Sequence, residues 1–302
     1  MRCLLSWFLF IVFLPGLAAC DDGDQTTNNA SNVNNINNAN NANCGAPGDA
    51  SPRFGQTANR FEFRNGPGWR VLSGRVYDGP PPDPFSEAGR QGLCRLLTSA
   101  PTFCDPACEW GTEVCIEGTC RTYPGVLSAG SLTLTGATGA PVTVQPDDMG
   151  NYVWDSTEAF TVESIGLAAA GDAAGAFTLE ACAPPQLAPV GDWSALMEAR
   201  GPGQDVTLTW SAPAPGARVY LRMTTGIGTH GGVSPVEIEC EGPDEGHLTL
   251  PGDYLDQLYA DGWACGECGD NTLRRYFADE ADVAGTLVQL RVSSEVTFWF
   301  RP

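Results

Sequence analysis

The chain has 302 residues, with 36 Asp and Glu against 16 basic residues, a net charge of −20 and a pI of about 4.2. Phosphate binding needs basic patches, so a nucleic-acid partner is disfavoured, and anionic membrane surfaces repel such a body. All 16 basic residues are Arg, and the absence of Lys excludes Schiff-base chemistry and the P-loop lysine.

Residues 1–19 read as a signal peptide. After Arg2 comes the apolar run "LLSWFLFIVFL" from Leu4 to Leu14, ended by Pro15-Gly16. A spanning helix needs roughly 20 apolar residues, so this run has the size of a signal core rather than a span. Leu17-Ala18-Ala19-Cys20 resembles the bacterial lipobox. That resemblance implies cleavage between Ala19 and Cys20, with diacylglycerol on the Cys20 thiol. Each buried CH₂ of an acyl chain contributes about 0.8 kcal/mol to membrane attachment, and two or more chains hold durably. The expected partner at this end is therefore the membrane, reached through lipid. The expected location is the cell envelope, with the outer membrane or surface favoured over the inner membrane; Asp21 and Asp22 leave the leaflet open.

Residues 20–52 form the lipidated N-terminus and an Asn-rich tether. From Asn28 to Asn43, 10 of 16 residues are Asn, and Val33 and Ile36 are the large apolar groups. Such a segment buries too little apolar surface to offset the entropy of ordering. Residues 21–43 span on the order of 80 Å fully extended and about 25–30 Å as a coil.

Residues 53–103 read as an N-terminal β segment. "RFEFR" and "WRVLSGRVYDG" are extended, "GPPPDP" from Gly79 to Pro84 forces a turn, and "GLCRLLTS" resumes a strand. Residues 104–123 are a cysteine-rich module with the spacing Cys104-x3-Cys108-x6-Cys115-x4-Cys120. A zinc ribbon usually separates its two knuckles by 12 or more residues, and here the gap is six. An exported chain also favours disulfides. The module resembles small EGF-like or knottin-like cysteine modules.

Residues 124–302 read as a β-sandwich region of one or two domains. "SLTLTG", "FTVESIGLA", "GAFTLEACAPP", "ARVYLRMTT", "VEIEC", "GHLTLP", "TLVQLRVSS" and "VTFWFRP" are short strands punctuated by Gly and Pro. In "DVTLTWSAP", Val206, Leu208 and Trp210 share one face and Thr207 and Thr209 the other. "LTWSAP" resembles a fibronectin type III strand with a buried Trp. Helix signals are sparse: "GDYLDQLYADG", with Asp253 as N-cap and Gly262 as terminator, and "DWSALMEARG". The predicted fold class is all-β, an immunoglobulin- or fibronectin-like sandwich or barrel-like domain with a small disulfide-rich module.

With Cys20 lipidated, ten mature cysteines remain as disulfide candidates: Cys44, Cys94, Cys104, Cys108, Cys115, Cys120, Cys182, Cys240, Cys265 and Cys268. Their connectivity does not follow from sequence. Cys265-Gly266-Glu267-Cys268 matches a redox CxxC, but β-strand and loop signals surround it, and a structural disulfide is expected.

No catalytic or metal residues and no cofactor are expected. His230 sits in a Gly-rich loop and His247 at a strand start, without a Gly-x-Ser-x-Gly elbow. "QPDDMGN" and "EGPDEGH" place acids in turns that read as solvated, with weak calcium binding as the minor reading. The expected role is non-enzymatic: envelope structure, adhesion or recognition of an envelope protein or polysaccharide, with Trp110 and Trp263 as candidate contacts. The alternative is an envelope hydrolase using acidic residues or His230. The order of parts resembles cysteine-motif β-rich lipoproteins of myxobacteria-like Gram-negative bacteria. That resemblance covers most of the mature chain and implies location and fold, not an activity.

Overall fold

The computed structural model describes residues 51–54, 59–99, 104–158, 161–224, 235–261 and 271–298. Cys20, Ala19, Cys44, His230, Trp263, Cys265 and Cys268 lie outside the described residues. In chain order the strands are β1 Asn59–Gly66, β2 Trp69–Tyr77, β3 Phe85–Gln91, β4 Cys94–Ser99, β5 Glu113–Ile116, β6 Thr119–Thr122, β7 Val126–Leu127, β8 Leu132–Thr135, β9 Val142–Val144 and β10 Tyr152–Ser156. They continue as β11 Ser164–Ala169, β12 Phe177–Cys182, β13 Ala188–Pro189, β14 Val206–Ser211, β15 Arg218–Thr224, β16 Val236–Pro243, β17 His247–Leu250, β18 Asn271–Val283 and β19 Thr286–Phe298. Helix α1 is Trp193–Glu198 and α2 is Gly252–Asp261.

The fold is all-β, as expected. A large sheet in the order β10-β2-β1-β19-β18-β15-β16-β4-β3, with β7 beside β2, forms the spine. A four-stranded sheet β12-β11-β8-β9 and a three-stranded sheet β13-β14-β17 are the smaller layers. Strand β1 runs parallel to β19, and the other spine pairs are antiparallel. The spine thus joins strands from both ends of the chain. The sequence-based division at residues 103 and 123 cuts between strands that share one sheet, because β1 pairs with β19 and β4 with β16.

Two apolar cores lie against the same face of the spine. One packs Phe61, Phe63, Leu72, Tyr152, Leu290 and Val292 of the spine against Leu132, Leu134, Ile165, Leu167 and Leu179 of the four-stranded sheet. The other packs Leu96, Val219, Leu221 and Ile238 against Leu208, Leu248, Trp193, Leu255 and Leu258 of the three-stranded sheet and the helices. Alternation explains both: in β8, β12, β14 and β17 the buried residues recur at every second position. Gly74 sits opposite Phe61 in register, and a Cβ there would lie 2.3 Å from the Phe61 ring.

Strands β18 and β19 are each 13 residues long and enter both cores. This departs from the sequence pattern, in which the stretch before "NTLRRYF" reads as strand and loop and the last strand reads as two. Acidic "FADEADV" hides the first strand, because each acid has its own partner in the fold: Asp279 accepts from the Glu180 N–H of β12, Glu280 pairs with Arg53, and Asp282 accepts from the Gly285 N–H in the turn to β19. At that waist, Arg275 Nε lies 2.7 Å from Asp244 Oδ2, both side chains 0% exposed. Asp244 also accepts hydrogen bonds from Trp210 Nε1 (2.7 Å) and the Ala214 N–H (2.7 Å). Arg275 donates to the carbonyls of Ala212 and Pro185.

Both predicted helices form. Asp192 caps α1 by accepting from the Ser194 and Ala195 N–H groups. In α2, Asp253 lies inside the first turn rather than at the N-cap. The Gly252 N–H is taken instead by Asp205 Oδ1 (2.8 Å), which reaches across from the loop before β14. Gly262 lies outside the described residues. Among the described residues no helix is long and apolar enough to cross a membrane.

Candidate functional site

The disulfides are the first site residues the structure places. Cys94 and Cys240 are directly opposed on β4 and β16 and bonded across a separation of 146 residues. Cys104 bonds Cys115, and Cys108 bonds Cys120. Cys182 is disulfide-bonded as well. The sulfurs of Cys104, Cys108 and Cys120 lie within 4.8 Å of one another. Their engagement in disulfides removes the thiolates that zinc would need.

The Cys104–Cys115 and Cys108–Cys120 bridges staple a hairpin of β5 and β6 whose turn is Glu117-Gly118, with φ of 49° and 72°. Two left-handed residues in succession suit the twist of a two-residue hairpin, and Gly at the second supplies one of them without strain. Before the hairpin, Glu109 to Thr112 form a second turn. The Glu109 carbonyl accepts from the Thr112 and Glu113 N–H groups, and Glu113 Oε2 accepts from the Glu109 N–H at 3.0 Å. Trp110 stands at the apex of that turn and is 97% exposed. The candidate contact named from sequence is thus displayed on a cross-linked, hydrogen-bonded loop.

The second feature is the face of the spine turned away from the cores. In register across the sheet it reads Arg75-Arg60-Gln289-Glu280, then Ser73-Glu62-Arg291-Ala278, then Glu295-Arg274-Tyr220-Glu241. Ion pairs run through the grid: Arg60 to Glu62 (3.4 Å), Arg274 to Glu62 (3.6 Å) and Glu295 (3.0 Å), Arg95 to Glu239 (2.6 Å), Arg218 to Glu241 (3.2 Å) and Arg222 to Glu237 (2.7 Å). The carboxylates of Glu62, Glu237, Glu239, Glu241 and Glu295 are each matched to a guanidinium group. Tyr276 donates to Glu241, and its own hydroxyl is pushed up to about 12, first by burial. Arg291 stacks over the Tyr276 ring at 4.5 Å, and burial pushes its guanidinium down.

Residues 51–54 lie across this grid. Arg53 donates its N–H to Glu241 Oε2 (2.6 Å), Arg218 Nη2 donates to the Ser51 carbonyl (2.7 Å), and Arg95 stacks over Phe54 at 4.6 Å. The chain therefore enters the body over the polar face. Sequence reasoning missed the grid; the signal for it is the Arg and Glu at alternate positions of "RFEFR", "RVYLR" and "VEIECEG".

Burial pushes the Glu62 carboxyl up, but Arg274, Arg60 and Arg291 outweigh it and hold the group below its usual value of 4.5. A folded-state pKa below the unfolded one adds stability above pH 4.5, and that stability is lost as pH falls through the folded value. Glu62→Gln is expected to destabilise the protein by about 1 kcal/mol at neutral pH. In urea titrations the gap between wild type and variant should narrow as pH falls below 4.5; a gap that stays constant on acidification would contradict the assignment.

His247 is exposed at the start of β17, beside Asp205 and Glu245 in a cleft of about 260 Å³, with Nδ1 3.4 Å from the Glu245 carbonyl oxygen. The two acidic turns differ. Asp147 spends its carboxylate on the Asn151 side chain and the Met149 and Asn151 N–H groups, and these bonds hold its pKa down. Asp244 of "EGPDEGH", expected from sequence to be solvated, is the buried partner of Arg275.

No family model matches the chain, and no curated protein matches it. Among solved structures, it is similar to a chain of Dpr11 IG1 bound to DIP-gamma, at 13% identity over 78% of this chain and 94% of that one, with a TM-score of 0.17. It is also similar to the Yersinia pseudotuberculosis adhesin InvE, at 11% identity over 80% and 58%, TM-score 0.17. A tandem-repeat region of a large adhesion protein gives 12% over 80% and 74%, again at 0.17. Likenesses of this size define neither the fold nor the activity.

Proposed function

We propose that this chain is a lipid-anchored protein of the cell envelope, displaying a disulfide-stabilised β body for recognition, adhesion or envelope structure. In this reading residues 1–19 are removed, Cys20 is acylated, and the Asn-rich segment spaces the body from the bilayer. The observation that carries the reading is the set of bridges Cys94–Cys240, Cys104–Cys115 and Cys108–Cys120. Such bridges persist in oxidising compartments, which the chain reaches by export. Leu17-Ala18-Ala19-Cys20 supplies both the route and the anchor. Residues 51–54 cross the polar grid, and the Trp110 side chain is 97% exposed.

The test is metabolic labelling with a palmitate analogue. The wild type is expected to carry label in the envelope fraction and Cys20→Ala to carry none. Equal labelling of the two would overturn the anchor.

A further inference from the structure

Trp110 is the most exposed large hydrophobic residue described, at 97%, while the next, Met149, is at 68%. A loop held by Cys104–Cys115, Cys108–Cys120 and the Glu109–Thr112 turn presents it with little freedom to lose on contact. Exposed, rigid indoles of this kind are the side chains that dominate binding energy at interfaces.

The surrounding charge selects the partner. Residues 104–123 hold Asp105, Glu109, Glu113 and Glu117 against the one base Arg121. Glu113 already accepts from the Glu109 N–H, whereas the carboxylate of Glu109, the residue before Trp110 in the turn, has no hydrogen-bond partner among the described residues. The same protein repeatedly lays arginine over aromatic rings: Arg64 on Trp69, Arg75 on Tyr77, Arg200 on Tyr259, Arg291 on Tyr276, and both Arg90 and Arg95 on Phe54. Trp110 has the ring and the neighbouring carboxylate but, among the described residues, no guanidinium over it.

We propose that the Glu109–Trp110 turn is a docking point for an arginine-bearing segment of a partner protein. The guanidinium stacks on the indole face and pairs with the Glu109 carboxylate. The net charge of −20 steers such a segment inward and repels anionic polymers and anionic bilayers. The proposal rests on the reading of the body as a recognition module and names its ligand chemistry.

The test uses the full chain extracted from membranes in neutral detergent. The probe is a capped Gly-Arg-Gly-Arg-Gly peptide, with its citrulline counterpart as the uncharged match. Wild-type protein is expected to bind the arginine peptide, and the citrulline peptide at least about tenfold more weakly. Trp110→Ala should lose about tenfold or more, Glu109→Gln less than that, and salt should weaken binding. Unchanged melting of Trp110→Ala shows that the loss is local, as its exposure implies. Failure of the wild type to bind, unchanged binding by Trp110→Ala, or equal binding of citrulline would overturn the proposal. So would Trp110-dependent binding of dextran, or of vesicles of equal parts phosphatidylglycerol and phosphatidylcholine, in place of the peptide. Acyl labelling of the same preparation separates the two readings. Labelled protein that ignores the peptide refutes the docking point alone, and unlabelled protein with Trp110-dependent binding refutes the anchor alone.

Discussion

Asp244→Ala is expected to remove about 3–5 kcal/mol of stability. The carboxylate is fully buried and carries an ion pair to Arg275 Nε together with bonds from Trp210 Nε1 and the Ala214 N–H. Deleting it strands a guanidinium at 0% exposure in the waist between two apolar cores. Taking out both partners is a different matter. An Asp244→Leu, Arg275→Met double variant leaves no unpaired charge, and its cost should fall well short of the sum of the single costs. Chemical denaturation of the four proteins of that cycle checks this. Additive losses would mean that the two side chains act independently.

Removal of the Cys94–Cys240 bridge comes second. Closing 146 residues into one loop restricts the unfolded chain strongly, and the chain-entropy account gives about 5 kcal/mol for a loop of this size. The bridge also joins β4, from the first hundred residues, to β16, near the end of the chain, within one sheet. Cys94→Ala with Cys240→Ala should therefore lower the melting temperature by roughly 10 °C. The Cys104→Ala, Cys115→Ala pair opens a separation of only 11 residues, for which the same account gives about 3 kcal/mol, and should lower the melting temperature by roughly half as much. Calorimetry distinguishes these outcomes. Equal shifts from both pairs would contradict the loop-size account.

The strands with clean alternation were legible in the sequence. Val206, Leu208 and Trp210 of β14 are buried as the pattern requires, with Thr207 and Thr209 on the other face. Disulfides as a class were legible from an even count of cysteines after a segment that resembles a lipobox. Their pairing was not, because it depends on which strands lie side by side, and β4 meets β16 only through the spine. The length of β18 was hidden because the partners of its charged side chains are distant in sequence: Arg274 pairs with Glu62 and Glu295, Arg275 with Asp244, Glu280 with Arg53, and Asp279 takes the Glu180 N–H. Asp244 was misleading for the same reason: local sequence shows an acidic turn, while its partner Arg275 lies 31 positions along the chain. Trp110 was legible as an aromatic outside the strands, but its full exposure follows from the Glu109–Thr112 turn.

The central claim joins the anchor to the body, and the most direct measurement is the mass of the N-terminal peptide of the protein extracted from membranes. The account predicts a peptide that begins at Cys20 and carries the added mass of diacylglycerol, without residues 1–19. A peptide that retains those residues, or that begins at Cys20 with an unmodified thiol, would contradict it.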